Sequence, residues 1–315
     1  MTQKQIRLHG MLLGVLLLLS GGTAWADDQT DCANPDQPAQ AIQACTNLLK
    51  NGDLSPQAQA ATYEHRGSAD LNVGQNAAAV ADANASLALT PTDGVDDVIL
   101  GIAALNQSQY QDVIGDMTRA INLNPPDVAV AYEIRGAAED ALGSMPAAVQ
   151  DENSALQMSP SNEMALYVRG DAELTLNQYN SAIADETAAL QLQPNDRKAL
   201  ADRGDAYMHE NQFPQSIADD TAAIQLNGND PLVFMNRGIS EVQFNQIAPA
   251  IADETQALSL NPNSANAYIV RGIAEGMQQD YAAEAKDEQA ALQIDPSNQM
   301  AQQNLRSAQQ KLGGQ

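Results

Sequence analysis

The chain has 315 residues, of which 44% are hydrophobic, so it is long enough to bury a substantial core. Its formal net charge is −25. A surface this acidic repels nucleic acid and anionic lipid headgroups, and it argues against partners of either kind. Its main expected effect is solubility, with only weak and unspecific attraction of basic partners.

The N-terminus has the three parts of a secretory signal. Lys4 and Arg7 precede the apolar run 11–20, and the sequence Ala24-Trp25-Ala26 offers small residues to a signal peptidase. The run is about half of the ~20 residues that span a bilayer as a helix. We predict a signal peptide over residues 1–26, with an uncleaved anchor as the alternative. The mature chain would be exported, with no stable membrane insertion, and periplasmic; secretion is the second option.

The two cysteines, Cys32 and Cys45, follow the signal closely. Thiols of an exported chain are expected to be oxidised, so we predict a disulfide between them. Pro35 and Pro38 favour a turn between the cysteines. A redox-active pair is the weaker alternative, because the Cys-x-x-Cys spacing is missing.

Between residues 60 and 296, a block of about 34 residues occurs seven times. Three markers keep one register. Each block has a glycine in its first half, an aspartate in its second half and a closing proline or glycine. The glycines are Gly67, Gly101, Gly136, Gly170, Gly204, Gly238 and Gly272. The aspartates are Asp82, Asp116, Asp151, Asp185, Asp219, Asp253 and Asp287. The closing residues are Pro91, Pro125, Pro160, Pro194, Gly228, Pro262 and Pro296. Three markers in one register indicate a stacked array.

Each block has the pattern of a helix–turn–helix. In the block 163–194, apolar residues recur at helical spacing in two segments, and Leu176-Asn177-Gln178 separates them. Pro194 then ends the second segment, because proline cannot continue a helix. A glycine inside a helix costs about 1 kcal/mol relative to alanine, so the repeated glycine predicts that a neighbouring helix passes closely.

On these marks the chain resembles the tetratricopeptide repeat family over about 60–296. The shared marks are the small residue, an apolar or aromatic residue four before it (Tyr132), an aromatic opening of the second helix (Tyr179) and the pair Ala182-Ile183. The resemblance implies an all-α, right-handed superhelical α-solenoid of about seven repeats with N- and C-terminal capping helices. We expect a disulfide-containing cap at 27–59, seven repeats at 60–297 and a capping helix and tail at 298–315. Residues 41–49 resemble a second helix with no full first helix before it.

One departure from the family pattern repeats six times. An arginine stands where leucine usually precedes the glycine: Arg66, Arg135, Arg169, Arg203, Arg237 and Arg271. An acid four residues later replaces the usual tyrosine in five blocks: Asp70, Glu139, Glu173, Glu241 and Glu275. A second acid follows the marker aspartate: Glu152, Glu186, Asp220, Glu254 and Glu288.

The block 94–125 has Leu100, Ala104 and Met117 at these three places, so it has lost all three polar groups together. The joint loss indicates that they act as one unit. We predict a structural polar ladder. Each arginine is expected to bond the acid four residues later and to reach the marker aspartate and the acid that follows it. The marker aspartates of the ladder are Asp151, Asp185, Asp219, Asp253 and Asp287. A ligand site built from the repeated arginines is the alternative.

In the family, the first helices line the inner face of the superhelix. The resemblance therefore predicts a groove lined by Val98, Ile102, Met164, Tyr167, Leu174, Met208, Met235, Ile239, Val242, Ile269 and Ile273. An apolar face that contains methionines suits an amphipathic helix or an extended peptide. Packing of the face against itself, or in a homodimer, is the alternative.

The sequence offers no catalytic, cofactor or metal constellation. His65 and His209 lie four blocks apart, and the glycines are spaced a block apart rather than in a phosphate-binding loop. Residues 227–230 resemble the start of a calcium loop but lack its distal acid, which favours an inter-block turn.

We therefore predict a non-enzymatic protein-interaction scaffold of the bacterial envelope whose partner is another protein or a second copy. The alternatives are a carrier of an apolar small molecule or lipid and, with less support, a subunit of an envelope enzyme.

Overall fold

The structure, a computed structural model, describes residues 23–51, 53–91 and 94–314, and this part of the chain is built from helices and turns. It contains seventeen helices and no strands. The helices are α1 (Thr23–Cys32), α2 (Pro38–Asn51), α3 (Pro56–Asn72), α4 (Asn76–Leu87), α5 (Val95–Asn106), α6 (Tyr110–Leu123), α7 (Val128–Ala141), α8 (Met145–Met158), α9 (Glu163–Thr175), α10 (Tyr179–Leu192), α11 (Arg197–His209), α12 (Phe213–Leu226), α13 (Pro231–Gln243), α14 (Ile247–Leu260), α15 (Ala265–Met277), α16 (Tyr281–Ile294) and α17 (Gln299–Gly313).

The helices follow the sequence markers block by block, so the predicted all-α repeat fold is confirmed. Each of the seven blocks forms two helices, from α3 and α4 to α15 and α16, and each closing proline or glycine lies after the second helix. Two helices precede the blocks and α17 follows them. The helix predicted at 41–49 lies within α2, and the short α1 packs against it.

The chain forms two compact units, Met1–Val168 and Arg169–Gln315. Within each unit, helices that are consecutive in sequence pack against each other, as α7 with α8 and α11 with α12. First helices of adjacent blocks also meet within a unit, as α3 with α5 and α13 with α15. Second helices contact only the first helices on either side of them. The first helices therefore line one face of each unit.

The turn inside each block uses one residue in the left-handed backbone region. In two blocks this residue is a glycine, with φ of +77° at Gly74 and +81° at Gly143. In the other blocks it is polar: Ser108, Asn177, Asn211, Asn245 and Gln279. Asparagine is among the side chains that tolerate this region best. The same backbone solution therefore joins the two helices of every block.

The marker glycines make room for a side chain of the second helix. A Cβ built on Gly238 would lie 2.5 Å from Glu254 Oε1 and 3.2 Å from its Cδ. At Gly204 the obstacle is Asp220, with its Oδ1 at 2.5 Å. We expected close passage of a helix. The structure shows that the space belongs to the acid that follows the marker aspartate.

A disulfide joins Cys32 at the end of α1 to Cys45 in α2, as predicted. The two cysteines form a small buried cluster with Ala44 and Leu48. The predicted signal peptide, residues 1–26, lies outside the described residues except for the start of α1 at Thr23. Among the described residues, no helix is long and apolar enough to cross a membrane.

Replacing Gly238 with alanine should lower the free energy of unfolding by about 1–2 kcal/mol. The added methyl group overpacks against the buried Glu254, which outweighs the gain of about 1 kcal/mol in helix propensity. Gly115→Ala is the matched control, since its new Cβ would meet only Arg119 Nη1 at 3.9 Å. That variant should gain about 0.5–1 kcal/mol. Equal effects of the two variants in chemical denaturation would contradict the packing explanation.

Candidate functional site

In the second unit, the predicted groove residues belong to the first helices α9, α11, α13 and α15. On α13, Met235, Ile239 and Val242 form one stripe with Leu232, which is 61% exposed. Met235 accepts a hydrogen bond from Ser264 Oγ at the start of α15, with 3.9 Å between oxygen and sulfur. The predicted groove residues of this unit that are half-buried are Leu174, Met208, Met235, Ile239, Val242 and Ile273. They form a partly accessible apolar surface.

Two predicted groove residues belong to the core instead. Val98 is 9% exposed and Ile269 is 4% exposed. Val98 packs with Ile134 and Met117 in an apolar cluster around α5 to α7, and Ile102 packs against the same cluster. Helical periodicity could not separate these positions from accessible ones. Met164 and Tyr167, in the first unit, are half-buried.

Exposed apolar residues also lie at the ends of two first helices. Met277, the last residue of α15, and Phe244, directly after α13, are both 48% exposed. Met277 stands one helical turn after Ile273 and extends the apolar stripe of α15. Phe244 is only two residues after Val242, so helical spacing does not place it on the stripe of α13.

A polar belt borders the apolar surface on α11. Lys198 Nζ lies 3.1 Å from Asp171 Oδ1 and 2.5 Å from Asp202 Oδ2, so two carboxylates neutralise its charge. Asn236 Nδ2 donates to Asp205 Oδ1 at 3.2 Å. The belt thus keeps an excess of negative charge beside the apolar stripe.

Five arginines share a second, structural arrangement in full. Each donates from Nε and Nη2 to both oxygens of the aspartate sixteen residues later, on the second helix of its own block. In Arg237 these distances to Asp253 are 2.6 and 2.8 Å. Nη1 donates to a threonine on the second helix of the preceding block, here Thr221 at 2.9 Å. The five complete sets are Arg66–Asp82–Thr46, Arg135–Asp151–Thr118, Arg203–Asp219–Thr187, Arg237–Asp253–Thr221 and Arg271–Asp287–Thr255. Each arginine therefore joins three helices. Arg169 makes the same pair with Asp185.

The acids four residues after the arginines have a different role from the one expected. The arginine donors go to the aspartate and the threonine, not to these acids. Burial and the neighbouring marker aspartate raise the pKa of Glu173, Glu241 and Glu275 to about 7, and the nearby arginines only partly offset this rise. The sequence analysis did not identify the threonines that accept from Nη1, although a threonine stands two residues after the marker aspartate in four blocks.

The acids that follow the marker aspartates are fully buried. Glu186 and Glu254 are 0% exposed, and neither carboxyl oxygen has a hydrogen-bond partner among the described residues. Burial is the main cause that raises the pKa of each to about 9, and that of Asp220 to about 8. The expected hydrogen bonds from the arginines do not form at Glu186 and Glu254 in the described part of the chain. With these raised pKa values, Glu186, Asp220 and Glu254 are mainly protonated at pH 7, and their carboxyls fill the space beside the marker glycines.

The block 94–125 lacks this arrangement. Met117 fills the place of the buried acid against Gly101. Asp116 keeps the marker position, but its cation is Arg119, one turn later on the same helix. Arg119 also donates from Nε to Asp97 on α5 at 2.8 Å.

The histidines stay separate. Burial lowers the pKa of His65, and His209 stacks on Tyr179 with 4.5 Å between the ring centroids. In the described part of the chain, no group of three or more His, Cys, Asp or Glu residues is placed to hold a metal ion.

In the loop 227–230, Asp230 caps α13 by accepting from Leu232 N at 3.1 Å, which agrees with the predicted inter-block turn.

The tetratricopeptide repeat model matches residues 100–163, 167–231 and 235–299, which is more than half of the chain. The chain belongs to the tetratricopeptide repeat family. A search of curated protein sequences finds no match for this repeat protein.

Solved structures with the same fold include YrrB, described as a repeat protein with an unusual peptide-binding site. It is 19% identical with a TM-score of 0.53, and the alignment covers 59% of this chain and 96% of YrrB. A tetratricopeptide repeat protein from Parabacteroides merdae is 19% identical with a TM-score of 0.50 and coverages of 79% and 98%. The Cut9–Hcn1 hetero-tetramer structure is 15% identical with a TM-score of 0.54 and coverages of 90% and 55%. At these identities the likeness concerns the fold.

Replacing Arg237 with alanine should lower the free energy of unfolding of this repeat protein by ~3–5 kcal/mol, because Asp253 is left buried without its cation. The control is Arg197→Ala. Arg197 and its partner Asp230 are about one third exposed and lie 3.2 Å apart. Its loss should cost less than about 1 kcal/mol. Chemical denaturation measures both, and a negligible effect at Arg237 would contradict the structural role of the arginines.

Stability should fall as the pH rises from about 4.5 towards 9. Unfolding exposes Glu186 and Glu254, whose usual pKa is 4.5, so the unfolded chain binds fewer protons than the native one throughout this window. Glu254→Gln keeps the shape of the neutral carboxyl but replaces it with an amide that does not titrate. The unfolding free energy of this variant should fall less steeply with pH than that of the original protein. The two slopes should differ by at most about 1.4 kcal/mol per pH unit. Identical slopes for the variant and the original protein in denaturation series at pH 5 to 8 would contradict a neutral Glu254.

Proposed function

We propose that this protein is a non-enzymatic scaffold of the bacterial envelope that binds a helix or extended peptide of another protein. Proteins of its family generally mediate protein–protein interactions. The observation that carries the proposal is the stripe Leu232, Met235, Ile239 and Val242 on α13. It is apolar, partly accessible and placed on the face that first helices line.

The charges beside the stripe define the partner further. Lys198 is the cation of the polar belt, and Asp171 and Asp202 both contact it. Asp205 adds another carboxylate. A partner segment that carries apolar residues on one side and Lys or Arg beside them complements this surface. Methionine side chains adapt to such a segment because they are unbranched and flexible.

Two features support the export of the protein. The N-terminal sequence has the pattern of a secretory signal, and Cys32 and Cys45 form a disulfide. Disulfides persist in oxidising compartments such as the bacterial periplasm. We therefore place the interaction in the periplasm.

A carrier of apolar molecules would need a cavity lined by the predicted groove, and two cavities of the described residues lie elsewhere. A cavity of about 340 Å³ opens beside α5 and α6, and one of about 30 Å³ lies beside the disulfide. Neither is lined by residues of the predicted groove.

The test is site-specific crosslinking in intact cells from a photoreactive residue at Ile239. We expect one defined adduct with another protein, mapped by mass spectrometry to an amphipathic segment that contains basic residues. Gln256, exposed on α14, is the control position and should give no such adduct. A second arm uses Ile239→Asp, which should abolish co-purification of that partner while Gln256→Asp preserves it. Adducts with copies of this chain alone would overturn the proposal in favour of self-packing.

A further inference from the structure

The cavity of about 340 Å³ lies in the block that has lost the arginine array. Its wall is formed by Val80 on α4, Leu100 and Ala104 on α5, and Gly115, Asp116 and Arg119 on α6. Its rim carries Asp112 and the glutamines at 107, 109 and 111. The cavity opens to solvent. It is distinct from the apolar stripe, whose residues it does not include.

The other blocks show what occupies the corresponding place. In the next block, Arg135 stands at the position of Leu100, and it donates to both oxygens of Asp151 and to Thr118. Glu139 stands at the position of Ala104. In the block 94–125, a guanidinium and a carboxyl are thus replaced by smaller apolar side chains. The marker aspartate that receives the guanidinium elsewhere is kept as Asp116.

The charges around the cavity are not balanced. Of the charged residues that line the cavity, Asp112 and Asp116 carry carboxylates and Arg119 carries a guanidinium, which also contacts the buried Asp97. Arg119 divides its donors between Asp97 and Asp116, and its side chain is 55% exposed, so it lies along the edge rather than filling the interior. The side chains that surround the space therefore favour a positively charged occupant.

We propose that this cavity binds the side chain of an arginine that a partner polypeptide supplies. Leu100, Ala104 and Val80 offer an apolar wall to the alkyl part of the side chain. Asp116 and Asp112 accept hydrogen bonds from the guanidinium, whose planar fork matches a carboxylate in two-point contacts. The incoming arginine takes the place that an internal arginine holds in six other blocks.

The proposal is tested with the tripeptide acetyl-Gly-Arg-Gly-amide, followed by NMR of methyl-labelled leucine, valine and alanine. We expect saturable shifts at Leu100, Val80 and Ala104. The same tripeptide with citrulline, which has the shape of arginine without its charge, should produce none. Equal shifts with both peptides would overturn the proposal. Free L-arginine is the third arm. If free L-arginine binds more weakly than the tripeptide, the result supports an arginine supplied by a polypeptide. If it binds equally well, the result overturns a polypeptide ligand in favour of a small molecule.

Substitutions in the chain give a matched set. Leu100→Arg supplies the missing guanidinium internally and should abolish tripeptide binding. Asp116→Asn should weaken binding at least tenfold, since it removes a charge-assisted contact. Asp112→Asn, at an exposed position, provides the same test if either variant fails to fold. Asp36→Asn removes a distant exposed charge and should leave binding unchanged. Unchanged binding in Leu100→Arg, or equal losses in Asp112→Asn and Asp36→Asn, would show that the cavity is not the site.

Discussion

The repeated two-point ion pair between an arginine of the first helix and an aspartate of the second is the interaction on which the array depends. A repeat protein has contacts only between neighbouring blocks, so its stability is a sum of terms within blocks and between adjacent blocks. The Arg237 set serves both terms, because Asp253 lies in its own block and Thr221 in the preceding one. One side chain thus fixes the two helices of a block and the position of the block before it.

This arrangement explains the other marks of the block. The guanidinium needs only the aspartate and the threonine, which leaves the following acid buried and neutral against the glycine, as Glu254 is against Gly238. The glycine is required because a methyl group would collide with that carboxyl. The formal charge of −25 therefore overstates the negative charge at neutral pH, since the raised pKa of Glu186 and Glu254 keeps both protonated.

The block 94–125 shows what happens when the interaction is removed. Met117 restores an apolar contact with Gly101, and Arg119 supplies a cation to Asp116 from one turn away on the same helix. These changes preserve the fold of the block, since α5 and α6 pack like the other pairs. They leave a cavity where the other blocks have an arginine. The two binding places proposed for this protein are the apolar stripe on α13 and the cavity beside Leu100.

The sequence by itself determined the helices, the block boundaries, the family and the disulfide. These follow from local rules: helical periodicity, chain termination at proline, and a period of about 34 residues that three markers share. Sequence spacing also selected the arginines as a unit, because their loss at Leu100 coincides with the loss at Ala104 and Met117. Only the tertiary structure decided which acid each arginine binds. Four of the six arginine blocks offer the guanidinium three acids, and the packing of two helices places only the marker aspartate for two-point contact. It also decided that Val98 and Ile269 are buried while Leu232 is exposed, because residues on the same helical face differ in how closely the neighbouring helices approach them.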